Sequence, residues 1–155
     1  MVQLVWYKRD LRVRDHGPLA EAAARGPVLP LYVAEPEIAA GDDFAPRHWT
    51  LLREGLHALR QSLAERGQPL IVRCGRLPDV FEQLRQQIGS FRIWAHQETG
   101  NRLTSDRDAR VRSWARAHHI PLTEYPCRGV VRPLRDRDTW SDQWEAYMQQ
   151  PPRSA

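Results

Sequence analysis

The chain has 155 residues, 41% hydrophobic and 27% charged, with a formal net charge of +4. That is enough apolar material for one sizeable core and little for two. Lys8 is the only lysine, and the arginines are interleaved with Asp and Glu with no single-sign block, so the basic balance does not by itself mark a nucleic-acid surface.

Cys74 and Cys127 lie far apart, in neither a CxxC pair nor a His/Cys cluster, which argues against a disulfide framework and against a metal site. The start of the chain lacks the regions of a signal peptide, and no stretch is long and apolar enough for a bilayer. The expectation is a soluble cytoplasmic protein without a membrane partner.

Val2 to Tyr7 reads as a buried strand that ends abruptly in Lys8-Arg9-Asp10-Leu11-Arg12, with Asp15 and His16 beyond. Asp15 or a neighbour can cap a short helix through Leu19, Ala22 and Ala23, stopped at Gly26 with Pro27 next. Val28 to Val33 is a second apolar run. Ile38 to Ala45, with Gly41, Asp42 and Asp43, reads as a loop. Pro46 then opens a long helix whose Trp49, Leu52, Leu56, Leu59 and Leu63 recur at helical spacing and are assigned to the core.

Pro69 to Gly75 is a third strand, followed by a helix with Leu77, Phe81, Leu84 and Ile88 on its apolar face. Phe91 to Ala95 is a fourth strand, and His96 to Asn101 a polar loop. Thr104 or Ser105 can cap the next helix, which buries Val111, Trp114 and Ala115; Ile120 to Tyr125 makes an edge strand, given Pro121. The alternation specifies an α/β domain, a Rossmann-like open parallel sheet of five strands in the order 3-2-1-4-5 with helices on both faces. That domain is expected over 1–126. Residues 127–155 are expected to be a linker segment with a short helix around Asp142 to Met148.

The strand order sets the Lys8 to Asp10 cluster against the loop at Gln97 to Asn101. Neither a P-loop nor a GxGxxG turn is present, so phosphate would have to be held by Lys8 and Arg9 as charges, while Asp10 suits a hydrogen-bond donor such as a pterin or flavin ring. The alternative is that Arg9, Asp10, Arg12 and Asp15 form an ion-pair network pinning the first loop. Glu98 and Asn101 likewise either meet a ligand or only make a turn and cap a helix. His96 can reach the crevice, but no nucleophile with an acid partner accompanies it, and no residue is assigned a catalytic role. Trp140 and Trp144 share a helix face if that helix starts by Trp140, and with Tyr147 and Met148 they form an apolar surface suited to docking a partner domain.

Val5-Trp6-Tyr7-Lys8-Arg9-Asp10-Leu11-Arg12, with Asp15 three residues on, resembles the opening of the DNA photolyase and cryptochrome family. Further agreement comes from Leu31-Tyr32-Val33, Glu98-Thr99-Gly100, Arg107-Asp108 with Val111 and Trp114, and the interdomain connection at Gly129-Val130-Val131-Arg132 and Trp140 to Met148. Lys8, Tyr7 and His16 depart from the usual Arg, Phe and Asn.

The resemblance implies an N-terminal domain that binds an antenna chromophore: methenyltetrahydrofolate, a deazaflavin or FMN. It implies a following helical domain that binds FAD, holds damaged DNA and performs light-driven repair of pyrimidine dimers as a deoxyribodipyrimidine photo-lyase, or signals as a cryptochrome. By resemblance the antenna site takes in Lys8, Arg9 and Asp10, the segment Tyr32, Val33, Ala34 and Glu35, and the pair Glu98 and Asn101. The domain alone is expected to be non-catalytic, a monomer or weak dimer through its docking face. Two rivals remain: a nucleotide-using enzyme domain of the same sheet class, such as an ATP pyrophosphatase or nucleotidyltransferase, and a stand-alone interaction domain with an empty crevice.

Overall fold

The computed structural model describes residues 1–127, 130, 134 and 136–153. In chain order the elements are β1 (Val2–Tyr7), α1 (Gly17–Ala23), β2 (Val28–Ala34), α2 (Pro36–Ala39), α3 (Pro46–Ala64), β3 (Ile71–Cys74), α4 (Asp79–Ile88), β4 (Phe91–His96), α5 (Arg102–Ala117), β5 (Leu122–Tyr125) and α6 (Trp140–Met148). The strands form one parallel sheet in the order β3-β2-β1-β4-β5, as the alternation specifies.

Because β1 is central, it is buried on both faces, and its side chains alternate between two cores. Leu4 and Trp6 join Leu31, Ile93 and the helix residues Val80, Phe81, Leu84, Val111 and Ala115 on the α4/α5 side. Val5 and Tyr7 join Trp94, Leu19, Ala22, Leu59 and Leu63 on the α1/α3 side. The Trp94 indole N–H is satisfied inside by the Gln3 side-chain oxygen at 2.8 Å.

Four local expectations change. Pro36 starts the one-turn helix α2, which takes Ile38 and Ala39 out of the stretch Ile38 to Ala45 read as loop, because proline's fixed φ suits a first helical position. The α3 stripe is core only at Leu59 and Leu63; Leu52 and Leu56 are half-buried and Trp49 is 48% exposed, since this end of the helix borders cavities instead of strands. Ile88, at the end of the α4 stripe, is also exposed. The caps of α1 and α5 are His16 and Asn101, each accepting the amide three residues on, rather than Asp15 and Thr104 or Ser105.

The helix near the C-terminus begins at Trp140, two residues earlier than expected, so Trp140 and Trp144 do stack, 6.2 Å apart, on an exposed face. Beyond it the chain returns to the domain: the Arg153 amide donates to Asp15 and its guanidinium lies over the Tyr125 ring. Of the expected interdomain connection, Gly129, Val131 and Arg132 lie outside the described residues. No helix among the described residues is long and apolar enough to cross a membrane.

Phe81 contacts the rings of Trp6, Phe91 and Trp114 and is fully buried. Phe81→Ala is therefore expected to cost about 3–5 kcal/mol in urea unfolding. A loss under about 1 kcal/mol would show that α4 does not anchor this core.

Candidate functional site

The carboxyl ends of β1, β2 and β4 open on a crevice of about 770 Å³, walled on the far side by the start of α3 and the loop before it. All the residues expected at the site line it: Lys8, Arg9, Asp10, Tyr32, Val33, Ala34, Glu35, Glu98 and Asn101. They divide into groups consumed by the fold and groups left at the rim.

Asp10 belongs to the first kind. One carboxylate oxygen accepts the Lys8 amide at 2.8 Å; the other accepts from His16 Nε2 at 2.8 Å and from His96 Nδ1 at 2.5 Å. His16 Nδ1 accepts the Leu19 amide, which places the His16 proton on Nε2, facing Asp10. Burial works against the Asp10 charge, but the two imidazole hydrogen bonds outweigh it and hold the carboxyl far below the usual carboxylate range. Burial pushes His16 the other way, below an ordinary histidine, against the pull of Asp10.

The ligating atoms of these three side chains lie within 4.8 Å of one another. Two ligands on one tetrahedral ion sit roughly 3.3 Å apart, given bonds near 2.0 Å. Distances of 2.5 and 2.8 Å instead define hydrogen bonds, so the cluster is an internal knot.

Lys8 is consumed as well. Its ammonium donates to the His96 carbonyl at 2.8 Å, pairs with Asp108 at 2.5 Å and lies 4.1 Å over the Trp6 ring. The charge considered for a phosphate is thus spent inside the domain.

At the rim, Arg9 is 62% exposed and pairs with Glu98, whose carboxylate also accepts the Thr99 and Gly100 amides. A Cβ at Gly100 would come within 2.9 Å of Glu98 and 2.7 Å of Thr104 and would collide with Arg9, so a side chain here would displace the ends of the Arg9–Glu98 pair. Asn101 caps α5 through Thr104 and donates to Asp43 at 2.7 Å, tying the loop before α3 to the crevice mouth. The alternative network of Arg9, Asp10, Arg12 and Asp15 is not what forms among the described residues; there Arg12 hydrogen-bonds the Asp15 carbonyl. Glu98 and Asn101 make the turn and the cap, and line the crevice as well.

Sequence reasoning passed over the residue that joins these groups. Buried Arg107 contacts Glu35 at 2.7 Å, Glu98 at 2.7 Å and Asp108 at 2.9 Å, and lies 5.0 Å over Trp6. The Arg107-Asp108 pair, which stood out only through resemblance, was the available signal. His16 and His96 carry no structural role in the sequence reading, because the carboxylate they share lies 6 residues from one and 86 from the other.

Arg9 and Arg107 overcome the effect of burial and hold Glu98 below the usual range. At Glu35 burial prevails over Arg107 and the pKa is raised, while Tyr32 is pushed up to about 12 by burial and by Glu35. The second Glu35 oxygen and the Tyr7 hydroxyl are buried without a hydrogen-bond partner among the described residues.

Comparison with known proteins places this architecture. The family model described as DNA photolyase matches residues 3–146, and the chain belongs to that family. A deoxyribodipyrimidine photo-lyase of Halobacterium salinarum is 30% identical over 94% of the chain and 32% of its own length. One from Thermus thermophilus is 33% identical over 84% of the chain and 29% of its own length. The chain thus spans about a third or less of these relatives. An archaeal photolyase structure from Sulfolobus tokodaii, described with two FAD molecules and the implication of a novel light-harvesting cofactor, covers 99% of this chain and 37% of its own at TM-score 0.81 and 18% identity; that likeness concerns the fold.

His16 supplies a pH test. Its folded pKa lies below the unfolded value, so between the two the unfolded chain binds the extra proton; stability is intact above about 6.5 and falls as the pH drops beneath it. The slope is at most about 1.4 kcal/mol per pH unit for this group. In His16→Asn, which keeps a donor for Asp10 and an acceptor for Leu19, urea unfolding at pH 7.5 and 5.5 should show a smaller pH difference than wild type. An unchanged difference would remove His16 as its source.

Proposed function

We propose that this chain is the antenna-chromophore domain of a light-driven flavoprotein whose following helical domain holds FAD and damaged DNA, the whole repairing pyrimidine dimers as a deoxyribodipyrimidine photo-lyase. The observation that carries this reading is the crevice at the switch point of the sheet, about 770 Å³, in a chain of the DNA photolyase family. The volume suits one multi-ring ligand. The lining pairs aromatic surface from Tyr32, Phe44 and Trp49 with polar groups at one side, the composition of a small-molecule site.

The residues fit such a ligand. Leaving a polar group buried and unpaired costs about 1–3 kcal/mol, and the Glu35 oxygen and Tyr7 hydroxyl sit in residues of this wall. A ring with N–H groups relieves that cost. Arg9, whose guanidinium is the exposed partner of Glu98, is the rim residue free to turn onto a ligand; Asp10 and Lys8 act indirectly, by fixing the backbone from which Arg9 projects. When bound, the chromophore supplies absorption of near-ultraviolet or blue light for transfer to FAD.

The domain boundary belongs to the same proposal: 1–126 forms the sheet domain, and 127–155 leads to the helical partner. The exposed stack of Trp140 and Trp144 supports α6 as the face that docks there. The rival interaction domain calls for a tight dry crevice and no exposed aromatic patch, and both features run the other way. The rival ATP-using reading loses its one lysine to Asp108.

Incubated with methenyltetrahydrofolate, FMN or a deazaflavin and desalted, the protein should retain absorbance between roughly 350 and 450 nm from one of them. Arg9→Ala should weaken retention about tenfold or more with unfolding unchanged, whereas Asp10→Asn should destabilise the fold by several kcal/mol. Retention of none of the three compounds would sink the antenna reading.

A further inference from the structure

Beside the crevice runs a second groove of about 520 Å³, between α3 and the β2–β3 end of the sheet. It is bordered by Tyr32 and Ala34 of β2, Val72 of β3 and the α3 face from Trp49 to Arg60. Its charged and titratable lining is Arg53, His57 and Arg60, at a spacing that stacks them on one helix face, and no carboxylate lines it.

Several other arginines on or beside the helices are matched, Arg25 with Glu21, Arg85 with Glu82, Arg110 with Glu37 and Arg112 with Glu124. Among the described residues, Arg53, His57 and Arg60 make no side-chain hydrogen bond or ion pair. Uncompensated positive charge along a concave, partly apolar wall focuses an attractive field for anions.

The groove is not isolated from the crevice. Tyr32, Ala34, Trp49 and Leu52 border both, so a single elongated ligand crossing the Trp49–Leu52 ridge touches each. The two cavities differ in chemistry: the crevice offers aromatic surface and carboxylates held in ion pairs, whereas the groove offers cations alone.

We propose that Arg53, His57 and Arg60 form a subsite for the anionic tail, phosphate or carboxylate, of the chromophore whose ring occupies the crevice. This rests on the antenna reading and narrows it: the ligand is a ring compound with a charged tail long enough to pass Trp49, not a neutral one. Phosphate from a flavin nucleotide and carboxylates from a polyglutamyl folate share this chemistry, and guanidinium groups suit both.

Fluorescence titration of the full chain with two ligand pairs tests it. Riboflavin against FMN isolates the phosphate; methenyltetrahydrofolate with one glutamate against five isolates the added carboxylates. In at least one pair the more anionic member should bind roughly tenfold tighter at low salt, with the advantage shrinking as ionic strength rises. That pair identifies the tail. R53Q/R60Q, altered at exposed positions away from the core, should reduce the advantage to about twofold while leaving the affinity for riboflavin, which carries no anionic tail, unchanged.

Binding of both members of each pair with equal affinity would overturn the subsite and leave the antenna reading standing, as would an advantage that survives in R53Q/R60Q. If no ring compound binds, the antenna reading falls and the subsite falls with it.

Discussion

One carboxylate, Asp10, holds three parts of the sheet in register. It receives the Lys8 amide at the end of β1, the His16 imidazole that caps α1, and the His96 imidazole at the end of β4. β1 and β4 are the strands between which the chain reverses its direction of winding, so their ends would otherwise part at the switch point. Removing one partner leaves a buried charge or buried imidazole unpaired, which costs far more than the net worth of any of the bonds. The crevice thus has a fixed floor, and whatever moves at its rim moves against that floor.

The same economy explains why the charged cluster after β1 divides by position. Lys8 and Asp10 turn inward, to Asp108 and the histidines, while Arg9 between them turns outward. The backbone bends at Lys8 and Arg9, just past the end of β1, and the three side chains part at that bend. Arg107 repeats the pattern from α5: it is buried, satisfied by three carboxylates, and positions Glu35 and Glu98 relative to each other. The site is therefore a shell of exposed groups set on a layer of buried ion pairs.

The sheet order, the strand cores and the gathering of all the expected site residues at one crevice were legible because they follow from periodicity and from right-handed parallel winding. The α3 stripe misled because helical spacing shows which residues share a face but not what lies opposite; at Trp49 a cavity does. His16 could not be read as a cap and an Asp10 partner together, since each role depends on where α1 is laid against the sheet. Arg107 lay hidden among the seven arginines and aspartates from Arg102 to Arg116, where composition reads as a solvated helix and only packing singles one out.

The balance of charge then separates recognition from attraction. In the crevice each buried cation meets a carboxylate, so little field remains outside it, and a ring would be selected there by shape, stacking and the unpaired oxygens of Glu35 and Tyr7. Such a site discriminates well and attracts weakly. The uncompensated charge lies one ridge away, on α3, where Arg53, His57 and Arg60 face a groove with no acid in it. A ligand drawn by that field would arrive tail first beside the crevice mouth, where the Asp43–Asn101 bond holds the loop before α3 in place and Trp49 forms the shared wall. Splitting the two tasks lets the ring cavity remain charge-balanced without giving up long-range capture of an anionic ligand.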